Sequence, residues 1–170
     1  MNIQSNFIKI IALFLIFSSP VLLKADTSIA EQLPGKLYNA EGKTYSAENL
    51  RGKIVALYFS ANWCPPCRKF TPKLIDFYND YSDSLGVVLI SLDKSPAVQQ
   101  KYMQKYKMKW LATENNSSTS KILSQKYDIQ SIPTLIVLAP DGSLITKKGR
   151  KAVEKRPQEA INSWKSRAGL

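Results

Sequence analysis

The sequence predicts an α/β fold in which a mixed central β-sheet is flanked by helices. Three apolar runs of strand length alternate with segments of helical periodicity, which favours parallel strands joined by crossover helices. The third run is followed by the turn Pro140-Asp141-Gly142-Ser143, which favours an antiparallel return. A chain of 170 residues favours a single domain.

The amino-terminal segment has the pattern of an export signal. Lys9 precedes an unbroken apolar run at residues 10–17, and small and apolar residues follow as far as Ala25. We expect residues 1–25 to be a signal peptide cleaved after Ala25, and the protein to be exported to the periplasm. The alternative is an uncleaved anchor, although the apolar run is about half the roughly 20 residues that span a bilayer.

The folded domain is predicted to cover residues 36–170, after a linker at residues 26–35. It begins with a β-hairpin extension, in which residues 36–38 and 43–45 flank a four-residue turn. Residues 46–50 follow as one short helical turn.

The remaining elements are predicted from apolar patterning and helix-start signals. Continuous apolar residues at 54–59 are typical of a central strand buried on both faces. Further elements are strands at 86–92, 133–138 and 144–146, and helices at 70–81 with a kink at Pro72, from Pro96 to about 107, at 118–127 and from Pro157. Trp110 and Trp164 are expected in the core.

Charge and composition exclude several functions. The net charge is +11, and basic residues cluster at Lys147, Lys148, Arg150, Lys151, Lys155 and Arg156. We interpret this cluster as a solvated face without nucleic-acid binding, because it lies on no recognised motif and has no interleaved aromatics. With two Cys and no His, the chain lacks the usual ligands of a closed zinc site and the usual Cys–His catalytic pair.

The residues expected to carry chemistry are Trp63-Cys64-Pro65-Pro66-Cys67, between the first central strand and its helix. A thiolate at a helix amino terminus is stabilised by the helix dipole, and Arg68, Lys69 and Lys73 add positive charge. Pro65 and Pro66 have no backbone N–H, so the Cys67 amide should be the nearest donor to the Cys64 sulfur.

The two cysteines are predicted to act as a redox-active disulfide. Cys64 precedes the helix and is expected to be the exposed nucleophile, while Cys67 lies one turn in as the resolving thiol. A purely structural disulfide is the main alternative, but so short a loop constrains the unfolded chain little.

The segment from Tyr58 to Pro72, which contains Trp-Cys-Pro-Pro-Cys, resembles the active-site segment of the tryparedoxin and nucleoredoxin branch of the thioredoxin superfamily, and of exported bacterial members. Ser131-Ile132-Pro133-Thr134 resembles the second landmark of that family. The resemblance covers about residues 35–164. It implies a thioredoxin fold and a thiol–disulfide oxidoreductase without a bound cofactor. It also implies a cis Pro133 facing the dithiol, with a trans proline opening a strand as the alternative, and an Ile132 backbone that pairs with an extended partner.

One position departs from the thioredoxin pattern. Tyr58 stands where thioredoxins carry a buried acid that helps to move the proton of the resolving Cys. That role is vacant here, or it falls to water, Asp93 or the Tyr58 hydroxyl. Trp63 either covers the disulfide as part of the partner surface or packs internally, and its position beside the dithiol favours the first.

We expect a monomeric reductant of protein disulfides in the cell envelope, supplied with electrons by a membrane protein. Cytochrome c maturation is one concrete setting. The alternatives are a disulfide oxidase or isomerase, and a non-catalytic thioredoxin-fold binding module.

Overall fold

The structure is a computed structural model that describes residues 28–170. The predicted signal peptide lies outside the described residues. Within residues 28–170, none of the helices combines the length and the apolar character that crossing a bilayer requires.

The described residues form one mixed sheet of seven strands in the order β2-β1-β5-β4-β3-β6-β7. The strands are β1 Leu37–Tyr38, β2 Thr44–Tyr45, β3 Ile54–Ser60, β4 Leu85–Ser91, β5 Leu111–Thr113, β6 Thr134–Leu138 and β7 Leu144–Thr146. The pairs β3–β4 and β4–β5 are parallel and the other neighbours are antiparallel. The predicted mixed sheet is therefore confirmed.

Helices cover both faces of this sheet. They are α1 Ile29–Gln32, a 3-10 helix Ala47–Leu50, α2 Pro65–Tyr81, α3 Pro96–Lys105, α4 Ser118–Lys126, α5 Gly149–Lys155 and α6 Pro157–Ala168. The start of α3 is as predicted, because Ser95 caps it by accepting a hydrogen bond from the Val98 amide and Pro96 occupies its first turn.

The central strand β3 is buried along all seven residues, and its side chains alternate between two apolar cores. Ile54, Ala56 and Tyr58 face the core formed with α2, α3, α5 and α6. Val55, Leu57 and Phe59 face the core formed with α1, the 3-10 helix and α4. Both cores keep β3 fixed, so the loop that leaves its carboxyl end starts from a rigid point.

Trp110 and Trp164 both lie in the first of these cores, as predicted. Their rings make edge contacts with Tyr58 and Phe77, respectively. Such contacts add about 0.5–1.5 kcal/mol each beyond area burial.

Three elements were not predicted. The helix α1 lies inside the predicted linker, where a reciprocal Ser28–Glu31 capping box starts it and buried Ile29 and Leu33 dock it. The strand β5 has only three residues, which is too short to show a period. The helix α5 is rich in Lys and Arg, so its one buried apolar side chain, Val153, gives too weak a pattern to predict a helix.

Candidate active site

The turn between β3 and α2 places the two cysteines at the start of a helix. Cys64 is the N-cap of α2, and its sulfur accepts a hydrogen bond from the Cys67 amide at 3.2 Å. Pro65 and Pro66 occupy the first two helical positions, where a missing N–H leaves no helical bond unmade. The predicted Cys67 donor is thereby confirmed.

Cys64 and Cys67 form a disulfide, with their Cα atoms 5.2 Å apart. Cys67 is fully buried, as predicted. Cys64 was predicted to be exposed, but in this oxidised form only 3% of its surface is accessible. The reason is that Cys64 packs with Ala61, Cys67 and the side chain of Ile132.

The loop before β6 faces this disulfide. The Ile132–Pro133 peptide bond is cis, as the resemblance implied, and the Ile132 carbonyl oxygen lies 3.8 Å from the Cys64 sulfur. The structure thus brings together two segments that are far apart in the sequence, 63–67 and 131–133.

A cleft of about 440 Å³ opens beside Cys64. None of the residues that line it is charged: they are Trp63, Cys64, Pro65, Pro66, Leu92, Ile129, Gln130, Ser131 and Ile132. Trp63 is 56% exposed and Leu92 is 39% exposed, and the Trp63 Nε1 donates to the Leu92 carbonyl at 3.1 Å. Trp63 therefore presents its ring to solvent at the edge of the cleft.

Asp93 supports the loop that precedes Cys64. One carboxylate oxygen accepts a hydrogen bond from the backbone N–H of Asn62 at 2.9 Å, and the other accepts from the Ser91 hydroxyl at 2.9 Å. The Asn115 side-chain amide donates to the Asp93 carbonyl. Arg68 holds the same loop by donating to the Asn62 carbonyl at 2.8 Å.

A chain of four buried hydroxyls lies behind Cys67. The Thr71 hydroxyl donates to the Cys67 carbonyl at 2.9 Å and lies 2.9 Å from the Tyr58 hydroxyl and 2.6 Å from that of Tyr102. The Ser60 hydroxyl lies 3.0 Å from Tyr102. When Thr71 uses its single proton on the carbonyl, its oxygen can only accept, so Tyr102 donates to Thr71 and Ser60 donates to Tyr102. The single proton of Tyr58 is shared between Thr71 and the Cys67 carbonyl.

Burial, aided by the neighbouring Tyr102, raises the pKa of the Tyr58 hydroxyl above its ordinary value. Tyr58 is therefore neutral at every pH at which the dithiol would work. Its hydroxyl lies 3.4 Å from the Cys67 carbonyl oxygen. Of the two predicted relay candidates, Tyr58 thus lies against the backbone of Cys67, and Asp93 holds the loop before Cys64.

The sequence analysis did not include Ser60, Thr71 and Tyr102 in the site. Thr71 could have been found, because it lies four residues after Cys67 on the buried face of α2. Ser60 shares a face of β3 with Tyr58. Tyr102 comes from α3, and no sequence signal links that helix to the cysteines.

The part of the chain that the structure describes, residues 28–170, contains no group of three or more His, Cys, Asp or Glu side chains that could hold a metal ion.

The Cys64–Cys67 disulfide at the β3–α2 turn, with the cis Ile132–Pro133 bond beside it, is the candidate redox site of a thioredoxin fold. The family model described as thioredoxin-like matches residues 52–144. The chain belongs to this thioredoxin-like family of oxidoreductases, in its tryparedoxin and nucleoredoxin branch.

Relatives found by sequence and by structure both support membership of this family. Tryparedoxin from Trypanosoma brucei brucei is 40% identical over 144 residues, which cover 81% of this chain and 98% of that protein. Nucleoredoxin from Bos taurus is 36% identical over 127 residues, or 72% of this chain, and the match spans only 29% of nucleoredoxin. The structure of tryparedoxin II from C. fasciculata superposes with a TM-score of 0.72 at 36% identity, covering 81% and 93% of the two chains.

Proposed function

We propose that the protein is a thiol–disulfide oxidoreductase that acts on protein disulfides through Cys64 and Cys67. The observation that carries this proposal is the cysteine pair at the amino terminus of α2, where the Cys67 amide donates to the Cys64 sulfur. The same hydrogen bond and the helix dipole would stabilise a Cys64 thiolate once the disulfide is reduced.

The reaction begins from the reduced protein. The Cys64 thiolate attacks one sulfur of the partner's disulfide, that bond breaks, and the partner's other sulfur leaves as a thiolate and takes up a proton. Cys67 then loses its proton and attacks the Cys64 sulfur. The Cys64–Cys67 disulfide forms, the second partner thiolate leaves, and two electrons have passed to the partner.

The cleft supports a polypeptide as the substrate. Its lining has no charge, and its exposed side chains at Trp63 and Leu92 offer apolar contact to residues beside a partner's cysteine. The carbonyl of Ile132, near the Cys64 sulfur, is placed to accept a hydrogen bond from an extended partner backbone.

Tyr58 and Asp93 are proposed to position the dithiol rather than to exchange protons with it. Tyr58 is neutral and contacts the Cys67 carbonyl, while both carboxylate oxygens of Asp93 are engaged by Asn62 and Ser91. In this proposal, the proton that leaves Cys67 passes to water.

For direction and location, we propose a reductant in the cell envelope, recharged by a membrane protein and acting in a setting such as cytochrome c maturation. The predicted signal peptide supports the location, and the resemblance to reducing relatives supports the direction. A monomer and the absence of nucleic-acid binding remain predictions.

Two cysteine variants test the proposal. Turnover of insulin disulfides with dithiothreitol should fall to background in Cys64→Ser, because the nucleophile is gone. Cys67→Ser should instead accumulate mixed disulfides with partner proteins when no dithiothreitol is present, because the resolving thiol is missing. Added dithiothreitol should reduce these mixed disulfides and release the partners.

Equal retention of partners by both variants, without covalent capture, would indicate the alternative of a non-catalytic binding module. Faster oxidation of a reduced protein than reduction of an oxidised one would indicate the oxidase or isomerase alternative.

A further inference from the structure

A second cleft, of about 490 Å³, lies between α5 and α6 and shares no residue with the cleft at Cys64. The helix α5 ends at Lys155 and α6 begins at Pro157, and the cleft lies where side chains of these two separate helices meet. The connecting Arg156 has a non-helical backbone, with φ −150° and ψ 69°. We refer to this feature as the α5/α6 cleft.

The α5/α6 cleft combines an apolar floor with a charged rim. Ala160 and Trp164 are buried residues that line it, and Ala152 is half-buried. The side chains of Lys148 and Lys151, by contrast, are exposed at its edge. An occupant could therefore make apolar contact at the bottom and charge contact around it.

The positive charge of the cleft is not balanced by the fold. Lys148 is the N-cap of α5, and Lys151 and Lys155 lie within the helix. Their spacing of three and four residues places all three on the side of α5 that lines the cleft. Like charges at this spacing destabilise a helix. None of the three ammonium groups lies within 4.0 Å of a carboxylate of residues 28–170. Glu159, the acidic residue of the lining, is already paired with Arg156 at 3.1 Å.

The remaining charged pair of α5 shows a different arrangement. Arg150 pairs with Glu154 at 3.4 Å, and its guanidinium lies 5.9 Å from the centre of the Phe70 ring on α2. These charges are balanced within the chain and serve packing. The lysines of the cleft have no carboxylate partner among residues 28–170, so their ammonium groups are solvated and accessible to an anionic partner.

We propose that the α5/α6 cleft is a docking site for an acidic segment of a partner protein that carries an apolar side chain among its carboxylates. The lining carries Lys148, Lys151, Lys155 and Arg156 against the single acid Glu159, so the surface is complementary to carboxylates. Because the cleft shares no lining with the dithiol site, a partner held here leaves Cys64 free to react. This inference goes beyond the redox activity and does not require it.

The test uses the oxidised protein and a fluorescein-labelled peptide of glutamates around one central leucine, with fluorescence anisotropy as the readout. We expect saturable binding that weakens as salt is raised. The triple variant Lys148→Gln, Lys151→Gln and Lys155→Gln should weaken binding by about tenfold, since three exposed charge contacts are lost. The matched control, Lys101→Gln, Lys109→Gln and Lys121→Gln, removes the same charge from other exposed sites and should bind as the wild type does.

Three results would overturn the proposal. Equal weakening by both triple variants would mean that the net charge of the protein, not the cleft, attracts the peptide. Unchanged binding when glutamine replaces glutamate in the peptide would exclude charge recognition. Cleft-dependent binding to vesicles of phosphatidylcholine and phosphatidylglycerol, without peptide binding, would assign the surface to a membrane. The protein is oxidised and the peptide has no cysteine, so none of these results depends on the redox proposal.

Discussion

Two sets of buried polar side chains flank the dithiol, and each set holds a different part of the surrounding backbone. Tyr58 and Thr71 meet at the carbonyl of Cys67, and Asp93 holds the amide of Asn62, two residues before Cys64. Because both groups act on backbone atoms, they fix where the two sulfurs lie. Replacing them should therefore change geometry and stability together.

Tyr58→Phe removes one buried hydroxyl from the chain behind Cys67. Thr71 keeps its bond to the Cys67 carbonyl, so we expect a loss of about 1 kcal/mol in unfolding free energy, measured by urea denaturation. The control Tyr81→Phe removes a hydroxyl that binds Gln158 at the exposed surface and should cost less. A shift in the pH profile of the Cys67 resolving step in Tyr58→Phe would contradict positioning and favour proton relay.

Asp93→Ala leaves the Asn62 amide and the Ser91 hydroxyl without their acceptor. We expect a loss of about 2–3 kcal/mol of stability and slower attack by Cys64, because the loop that carries it is loosened. Asp93→Asn keeps one acceptor oxygen for Asn62 and should recover part of both losses. If Asp93→Ala were as stable and as fast as the wild type, the positioning role of Asp93 would be wrong.

At the scale of elements, a glycine allows the start of α5 to pack closely against β6. A Cβ at Gly149 would lie 2.8 Å from the Leu135 carbonyl oxygen and 2.7 Å from a Val137 methyl on β6. Real Cβ atoms do not approach backbone so closely. The first residue of α5 therefore has to be glycine for this helix to meet the sheet.

Gly149→Ala should lower the unfolding free energy by about 1–3 kcal/mol, because the helix must move away from β6. Gly86→Ala is the matched control, since its Cβ would meet the flexible end of the Leu50 side chain instead of backbone at close range. We expect the control to cost less, with both measured by thermal unfolding. A larger loss for Gly86→Ala than for Gly149→Ala would contradict this account of how α5 is seated.

How far the sequence predicts each element depends on how local its signal is. The strand β3 and the start of α3 were predictable, because continuous apolar residues and a Ser-Pro cap act within a few neighbours. The strand β5 and the close packing of Gly149 against β6 depend on contacts with strands that are distant in the chain. The same holds within the site: the cysteines are visible as a local motif, whereas Tyr102 joins them only through the fold.

For the whole molecule, burial of tyrosines makes stability depend on alkaline pH. Burial raises the pKa of Tyr127 to about 12, and its hydroxyl donates to the Gln32 side chain at 2.7 Å. The pKa is higher in the folded than in the unfolded state, where the ordinary value is about 10. The stability from Tyr127 is therefore complete below pH 10 and is lost as the pH rises from about 10 to about 12.

Tyr127→Phe should flatten that part of the pH dependence. The measurement is the urea midpoint at several pH values from 9 to 12, compared with the wild type so that other alkaline titrations cancel. Parallel curves for the two proteins would mean that Tyr127 does not contribute to the alkaline loss of stability.

The whole fold places the Cys64–Cys67 disulfide at the rim of an apolar cleft, and the central claim is that this pair works as a reductant. The most direct measurement is the equilibrium reduction potential of Cys64–Cys67 in dithiothreitol or glutathione buffers, followed by the fluorescence of Trp63. We predict a value of about −250 mV or lower, near that of thioredoxin. A value of about −120 to −180 mV, typical of oxidants and isomerases, would contradict the claim and show that the protein donates or rearranges disulfides.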